Sequence, residues 1–238
     1  MKHGEARFLS CMYVLSLLLL AGFAASGLRS AAAVSAETAV PVVIVLDPGH
    51  GGMDGGAAGT DGTLESSLNL SIALKTDAVL GLLGEQTLLT RSTDADLSGP
   101  EAKTISQKKV SDIRRRVEIV NSQAGALLLS IHCNTYSEEK YHGAQVFYTG
   151  TASKALAEVL QEALQAHVDP GNTRKAKTIS PDVYLMKHIT APGVLLECGF
   201  LSNPAELRNL KDPGYQNRLA VTIAVTAAGY RPENFSGV

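Results

Sequence analysis

The chain has 238 residues, of which 45% are hydrophobic and 18% are charged, an ordinary globular composition with room for one domain. Its formal net charge is −2, so it lacks the basic excess that most nucleic-acid-binding proteins carry. Composition therefore predicts one hydrophobic core and no nucleic acid among the partners, which have to be inferred from the functional site.

Residues 1–36 are predicted to be an export element that lies outside the folded domain. Lys2 and Arg7 precede a mostly apolar run over residues 8–25, and small residues follow that run. This order is typical of a secretory signal sequence, although the run also approaches the ~20 residues of a membrane-spanning helix. A cleaved signal and an uncleaved membrane anchor through residues 8–25 are both open. Either predicts an exported protein of the cell envelope or the extracellular space, with its folded domain over residues 37–238.

The first predicted strand leads directly into a glycine-rich turn that carries His50. Residues 42–45 are Val-Val-Ile-Val, a β-branched run that suits a strand covered on both faces, and Pro48 with the neighbouring glycines ends it. The ends of such strands are where α/β sheets place their ligands. His50 is therefore a candidate functional residue, and a solvated loop histidine is the competing interpretation.

From Glu37 onward the chain alternates predicted strands and helices without long linkers or repeats. Residues 203–206, Asn-Pro-Ala-Glu, predict a helix start, because they offer an N-cap, a proline at the first helical position and an acidic residue. The polar residues 92–109 predict a long exposed loop, and loops of this length often have a function. Apolar spacing predicts helices over residues 64–83, 110–120, 156–167 and 216–230, and strands at 87–90, 127–131, 143–148 and 194–197. This alternation predicts an α/β fold, a single-domain sandwich with a largely parallel central sheet flanked by helices.

Histidines or acidic residues stand at the ends of three of these predicted strands. His50 follows the first, His132 ends Leu-Leu-Leu-Ser-Ile-His, and Glu197 ends Val-Leu-Leu-Glu. Burying a carboxylate such as Glu197 is costly unless it is paired or bound, which favours a functional role. Glu65 lies in the first turn of a predicted helix, where the helix dipole alone would favour an acid. Two histidines and a carboxylate are a common catalytic zinc arrangement, so the residues by themselves predict a metal hydrolase of undetermined substrate.

Five motifs, in order along the chain, point to one enzyme family. They are Leu-Asp-Pro-Gly-His-Gly-Gly-Met-Asp-Gly-Gly-Ala (46–57), Glu65 with Asn69-Leu70, Leu-Thr-Arg (89–91), Ser-Ile-His-Cys-Asn (130–134) and Leu-Glu-Cys-Gly-Phe-Leu-Ser-Asn (196–203). The chain resembles the zinc-dependent N-acetylmuramoyl-L-alanine amidases of type 3 over about residues 42–230. The resemblance implies that His50, Glu65 and His132 hold one Zn²⁺ ion and that Glu197 is the catalytic glutamate.

The implied reaction is hydrolysis of the amide bond between N-acetylmuramic acid and L-alanine in peptidoglycan, which is the expected partner. Zinc would activate water and polarise the amide carbonyl, while Glu197 would move a proton from that water to the alanine nitrogen. Residues 172–174 (Asn-Thr-Arg) and 184–186 (Tyr-Leu-Met), together with the export element, indicate the spore-cortex branch. Nothing in the sequence identifies an accessory protein. The alternatives are another zinc hydrolase, acting on wall peptides or acetylated sugars, and a non-catalytic wall-binding module.

Four further polar residues are candidates for substrate contact or for support of the ligands. Arg91 and Arg114 could hold a peptide carboxylate, since guanidinium suits bidentate contact, or could form structural ion pairs. Asp47, like Asp54, flanks His50 and could orient it from behind, with turn formation as the competing explanation. Asn134 closes the motif of His132 and belongs to the same candidate group.

Cys133 and Cys198 are the cysteines of the predicted domain, since Cys11 lies in the export element. Two cysteines are too few for a disulfide framework. Each follows a candidate functional residue, and alternation along a strand sends neighbouring side chains to opposite faces. They are therefore predicted to be buried thiols that face away from the site, and a disulfide between them would require adjacent strands.

Overall fold

The structure is a computed structural model that describes residues 42–230. The predicted export element, residues 1–36, lies outside the described residues and stays a prediction. Within the described range, no helix combines the length and the apolar character that crossing a bilayer would need.

A six-stranded mixed sheet forms the centre of the fold. Its strands are β1 (Val43–Pro48), β2 (Gln86–Leu89), β3 (Ala126–Asn134), β4 (Gln145–Tyr148), β5 (Lys177–Thr178) and β6 (Gly193–Phe200). They lie in the order β2-β1-β3-β6-β4-β5, in which β2, β1, β3 and β6 are parallel. Strand β4 runs antiparallel to β6, and β5 runs parallel to β4. The predicted largely parallel sheet is confirmed, with two reversed strands at one edge.

Helices cover both faces of this sheet. They are α1 (Glu65–Leu82), α2 (Ile105–Asn121), α3 (Gly150–His167), α4 (Tyr184–His188), α5 (Pro204–Lys211) and α6 (Pro213–Gly229). Side chains of α1, α3, α5 and α6 pack in one hydrophobic cluster, and those of α2 and α4 pack in a second. In β1, Ile44 and Leu46 join the first cluster and Val45 joins the second, as alternation along a strand requires. The α/β sandwich predicted from the sequence is confirmed.

The predicted loop 92–109 is too long, because helix α2 already begins at Ile105. Thr104 is its N-cap and accepts a hydrogen bond from the Gln107 backbone, while the Gln107 side chain accepts one from the Thr104 backbone. This reciprocal capping box satisfies backbone donors that the first helical turn leaves free. The polar composition of these residues hid a helix start that the Thr-x-x-Gln spacing indicates.

Other boundaries differ less. The predicted N-cap Asn203 is confirmed, since its Oδ1 accepts hydrogen bonds from the backbone of Ala205 and Glu206. Helix α6 begins at Pro213, three residues before the predicted position, with Asp212 as its N-cap. Strand β5 and helix α4 were not predicted, because two and five residues are too short for a periodic pattern.

A buried ion pair joins helix α2 to the end of strand β1. Arg116 is 1% exposed and donates to Asp47 Oδ1 at 2.7 Å, and the hydroxyls of Thr90 and Ser130 also donate to this carboxylate at 2.7 Å. Burial alone would raise the pKa of Asp47, but the Arg116 charge and these hydroxyl donors hold it below its usual value. Arg116 also donates to the backbone oxygen of His50 at 2.7 Å. The pair therefore ties three strand ends, one helix and the glycine-rich turn together.

Replacing Arg116 with alanine should lower the free energy of unfolding by about 3–5 kcal/mol, because Asp47 would stay buried without its cation. Urea denaturation measures this change. Arg115→Ala is the matched control, since the exposed Arg115 guanidinium pairs with Glu118 on the helix surface at 3.0 Å. That control should cost less than about 1 kcal/mol, and equal losses from the two variants would contradict the role of the buried pair.

Candidate active site

The glycine-rich turn after β1 holds His50 in a specific orientation. His50 adopts a backbone φ of 60°, which is uncommon for a residue other than glycine. Its Nδ1 atom lies 2.9 Å from Asp54 Oδ2, and Lys109 Nζ lies 2.8 Å from Asp54 Oδ1. A proton on Nδ1, donated to Asp54, leaves Nε2 free to bind a metal, and this is the usual way in which a ligating histidine is oriented.

Two glycines leave the space that the neighbouring side chains occupy. A Cβ atom on Gly49 would lie 2.2 Å from the His132 ring, and one on Gly56 would lie 2.5 Å from Glu65 Oε2. Gly56 also has a φ of 68°, which side-chain-bearing residues rarely adopt. Close approach of the backbone to the ligand side chains therefore explains these glycines.

Glu65 is the first residue of α1, and backbone donors hold its buried carboxylate. Ala57 N donates to Oε2 at 2.9 Å, while Cys133 N and Asn69 Nδ2 each donate to Oε1 at 3.2 Å. Burial raises the pKa of Glu65, but hydrogen bonds and charges from the two histidines outweigh burial and lower it well below its ordinary value. Glu65 is therefore held as a carboxylate, which is the form that ligates a metal.

His50, Glu65 and His132 converge on one point at the carboxyl edge of the sheet. His132 Nδ1 lies 3.0 Å from Glu65 Oε1, and His50 Nε2 lies 3.3 Å from Glu65 Oε2. The candidate ligand atoms of all three side chains lie within 4.8 Å of one another. Two imidazole nitrogens and one carboxylate oxygen are a donor set that suits a metal ion such as zinc.

His50 would have to lose a proton when a metal binds. Burial lowers the pKa of His50, but hydrogen bonds and charges from Glu65 and Asp54 raise it to about 9. A cation between the ligands would replace this proton, so that metal binding competes with protonation.

Glu197 lies beside this group on β6, in register with His132 on β3. Its Oε2 atom is buried and has no hydrogen-bond partner among the described residues. Burial raises the pKa of Glu197, and so does the nearby Glu65 charge, whereas the charges of His132 and His50 lower it. The net result is a pKa of about 7. A carboxyl group with this pKa can take up and release a proton near neutral pH.

The two arginines that are candidates for substrate contact occupy different environments. Arg91 is buried and donates to the backbone oxygens of Pro48, Gly49, Ser66 and Thr93 at 2.9–3.0 Å. These contacts favour a structural role, in which Arg91 braces the turn of His50, over contact with a peptide carboxylate. Arg114 is exposed on α2 and lines a groove that also contains Leu97 and Glu101.

Asp47 and Asn134 support the strand ends and contact no candidate ligand. Asp47 acts through Arg116, which reaches the backbone oxygen of His50. Asn134 accepts a hydrogen bond from Leu201 N on its backbone oxygen at 2.8 Å, and its Oδ1 accepts one from Thr135 N at 2.8 Å. Both residues therefore shape the edge on which the ligands stand.

Arg116 is the residue of this region that sequence reasoning missed. It lies three positions after Ile113 and four before Val120, on the apolar side of α2, where a charge is unexpected. A charged residue on an apolar helix face is a signal for a buried partner. Cys133 and Cys198 are buried and free on adjacent strands, which confirms the prediction of buried thiols.

Comparison with known proteins identifies the family to which this chain belongs. A profile of the family described as N-acetylmuramoyl-L-alanine amidase matches residues 44–227. The germination-specific N-acetylmuramoyl-L-alanine amidase of Bacillus subtilis is 40% identical over 183 residues, which cover 76% of this chain and 76% of the relative. The amidase AmiA of Escherichia coli is 28% identical over 233 residues, covering 79% of this chain and 75% of AmiA.

A solved structure extends this similarity to the fold. The CwlD amidase of Clostridioides difficile, determined in complex with the GerS lipoprotein, is similar with a TM-score of 0.75 at 39% identity. The match covers 78% of this chain and 96% of that one. The chain therefore belongs to the N-acetylmuramoyl-L-alanine amidase family, and its reaction is hydrolysis of the amide bond between N-acetylmuramic acid and L-alanine in peptidoglycan.

Proposed function

We propose that this amidase is zinc-dependent, that His50, Glu65 and His132 hold one Zn²⁺ ion, and that Glu197 is the catalytic base. The observation that carries this proposal is the convergence of the three ligand atoms within 4.8 Å beside a buried carboxylate oxygen that has no partner among the described residues. A buried carboxylate without a partner is costly to keep. Catalysis explains why the chain keeps it.

Zinc at this position would supply Lewis acidity, which lowers the pKa of water and polarises a carbonyl oxygen. The residues of the chain do the remaining work. Glu197 accepts a proton from the attacking water and then donates it to the nitrogen of the departing alanine, and its pKa of about 7 suits both transfers. Asp54 holds the His50 ring, and backbone donors such as Ala57 N hold the Glu65 carboxylate in place.

The bond balance is that of a simple hydrolysis. The C–N bond between the lactyl carbonyl carbon and the alanine nitrogen breaks, and the water oxygen forms the new bond to that carbon. The proton passes through Glu197 to the nitrogen, so the products are a glycan with a free lactyl carboxyl group and a stem peptide with a free amino terminus. Mass analysis of muropeptides tests this outcome, because other wall hydrolases would release a different amine and a binding module would release none.

The setting of the reaction is proposed to be the outer side of the cytoplasmic membrane, in the spore cortex. The apolar run over residues 8–25 and the location of peptidoglycan support export, with cleavage or anchoring as the two routes. The name of the Bacillus subtilis relative, a germination-specific amidase, supports the cortex. The Clostridioides difficile relative was determined with a lipoprotein, which supports a lipoprotein partner here as well.

The protein should contain one zinc ion and need it for activity. Replacing His132 with alanine should reduce both zinc occupancy and turnover, because one of three protein ligands is lost. Elemental analysis, with chelation and readdition of zinc, measures this. His167→Ala is the control, since His167 is exposed on α3 and does not belong to the group that could hold the metal. Full activity in metal-free protein would refute the zinc requirement.

Loss of Glu197 should differ in kind from loss of Glu65. Glu197→Gln keeps the shape of the side chain but removes its basicity, so zinc should stay bound while kcat falls about 100-fold or more. Glu65→Gln should instead weaken zinc retention, because it removes a ligand charge. Zinc stoichiometry and turnover of both variants decide between these roles. A Glu197→Gln protein that loses zinc but hydrolyses normally in excess zinc would reverse the assignment.

The full chain should be exported. A reporter that is active only outside the cytoplasm, fused after Val238, should be active, because residues 1–36 carry the pattern of an export element. The matched control lacks residues 1–36 and should be inactive. Equal activity of the two fusions would show that these residues do not direct export.

A further inference from the structure

We propose that a cationic pocket beside Glu197 binds a free carboxylate of the stem peptide, an inference that rests on the proposed role of Glu197. The cationic pocket is a cavity of about 470 Å³ whose lining includes Lys140, His142, Gln145, Arg174, Lys175 and Lys177. Its basic residues lie outside every motif that carries the zinc site. Arg174 belongs to the segment 172–174 that the sequence singled out without a chemical role.

The cationic pocket begins one strand away from the catalytic glutamate. Glu197 on β6 is in register with Gln145 on β4 on one side and with His132 on β3 on the other. Residues opposite each other on neighbouring strands project from the same face of a sheet. His132, Glu197 and Gln145 therefore form one row that runs from the candidate metal ligands to the wall of the pocket.

Gln145 connects this row to the pocket's cations. Its Oε1 accepts a hydrogen bond from Arg174 Nη1 at 2.9 Å, and its Nε2 donates to the Lys175 backbone oxygen at 2.8 Å. Arg174 also donates from Nε to the His142 backbone oxygen at 2.6 Å and lies over the Phe200 ring at 4.4 Å. Such contacts fix the plane of the guanidinium, and a fixed guanidinium suits the planar carboxylate group.

The lining of the pocket has a strong excess of positive charge. It contains Lys140, Arg174, Lys175 and Lys177, and it contains no aspartate or glutamate. Lys140 pairs with Glu138, but Lys175 and Lys177 are exposed and form no ion pair within residues 42–230. The whole chain has 21 basic and 23 acidic residues, so this concentration of cations is not a consequence of composition. An anion is the ligand that such a pocket attracts.

The orientation of the substrate relative to Glu197 indicates which anion the pocket binds. Glu197 delivers its proton to the alanine nitrogen, so the peptide side of the scissile bond faces Glu197 and the neighbouring strands β4 and β5. These strands lie one and two spacings from β6, roughly 5 and 10 Å. An extended peptide advances about 3.4 Å per residue, so the second or third residue of the stem reaches the pocket. A free carboxylate on those residues would meet Lys175, Lys177 and Arg174.

Paired substrates and paired variants test this proposal. One soluble muropeptide carries free stem carboxylates, and its twin carries carboxamides in their place. Lys175→Gln/Lys177→Gln should raise KM for the acidic muropeptide about tenfold, because each exposed ion pair contributes about threefold. It should leave kcat within about twofold, since the lysines do not touch the reacting atoms. It should leave KM for the amidated muropeptide unchanged, since that substrate has no free stem carboxylate.

The control is Lys75→Gln/Lys187→Gln, which removes the same charge at two lysines that do not line the pocket. Its KM values should match those of the unchanged protein for both substrates. If the pocket variant changed KM equally for both muropeptides, or the control changed it as much, the proposal would be wrong.

A binding measurement separates this proposal from the amidase function itself. Calorimetric titration of the full chain with an acidic peptide that begins with L-alanine, and with its carboxamide twin, needs no turnover. We expect about tenfold tighter binding of the acidic peptide, and loss of this preference in Lys175→Gln/Lys177→Gln. Equal affinity for the two peptides overturns the pocket's role even if the amidase is active. Normal turnover in Glu197→Gln would refute the proposed role of Glu197, and the titration would still decide the pocket.

Discussion

The buried contact between Asp47 and Arg116 is the interaction on which the active edge depends. It places a charged pair on the face of the sheet that also buries Val45, Leu128 and Leu195. Such a pair is stable only with complete hydrogen bonding, which Thr90, Ser130 and the backbone of the His50 turn provide. The requirement for complete hydrogen bonding fixes the path of the turn, and the turn presents His50 to the other candidate ligands.

Two glutamates at the same edge acquire opposite properties from their surroundings. Hydrogen bonds and charges from His132 and His50 outweigh burial and lower the pKa of Glu65, and backbone donors also hold its carboxylate, so that it stays ionised and is ready to ligate a cation. Glu197 has a buried oxygen that lacks a partner among the described residues, and its pKa rises to about 7. Separation of the pKa values of neighbouring carboxyl groups is a common way to divide binding from proton transfer.

The antiparallel direction of β4 determines which residues lie beside Glu197. Because β4 runs antiparallel to β6, its first residue, Gln145, stands opposite Glu197 at the active edge. A parallel strand would have placed its last residue there instead. The antiparallel order thereby brings residues 172–176, which lead into β5, to the same edge of the sheet as Glu197. Strand direction therefore decides what lies next to Glu197.

The resemblance to a family singled out Glu65, since the helix dipole alone explains an acid in the first turn of a helix. The sequence by itself determined the α/β class, the principal strands and helices, and the candidate residues His50, His132 and Glu197 at strand ends. These depend on local patterns, namely apolar periodicity and short motifs at strand ends, which are visible within a few residues. Only the tertiary structure decided that Arg116, 69 positions from Asp47, braces the turn, and that Arg91 binds backbone oxygens. It also decided that the cationic pocket adjoins Glu197. The physical reason is that a charge acquires its role from its partners, and chain folding brings those partners together from distant positions.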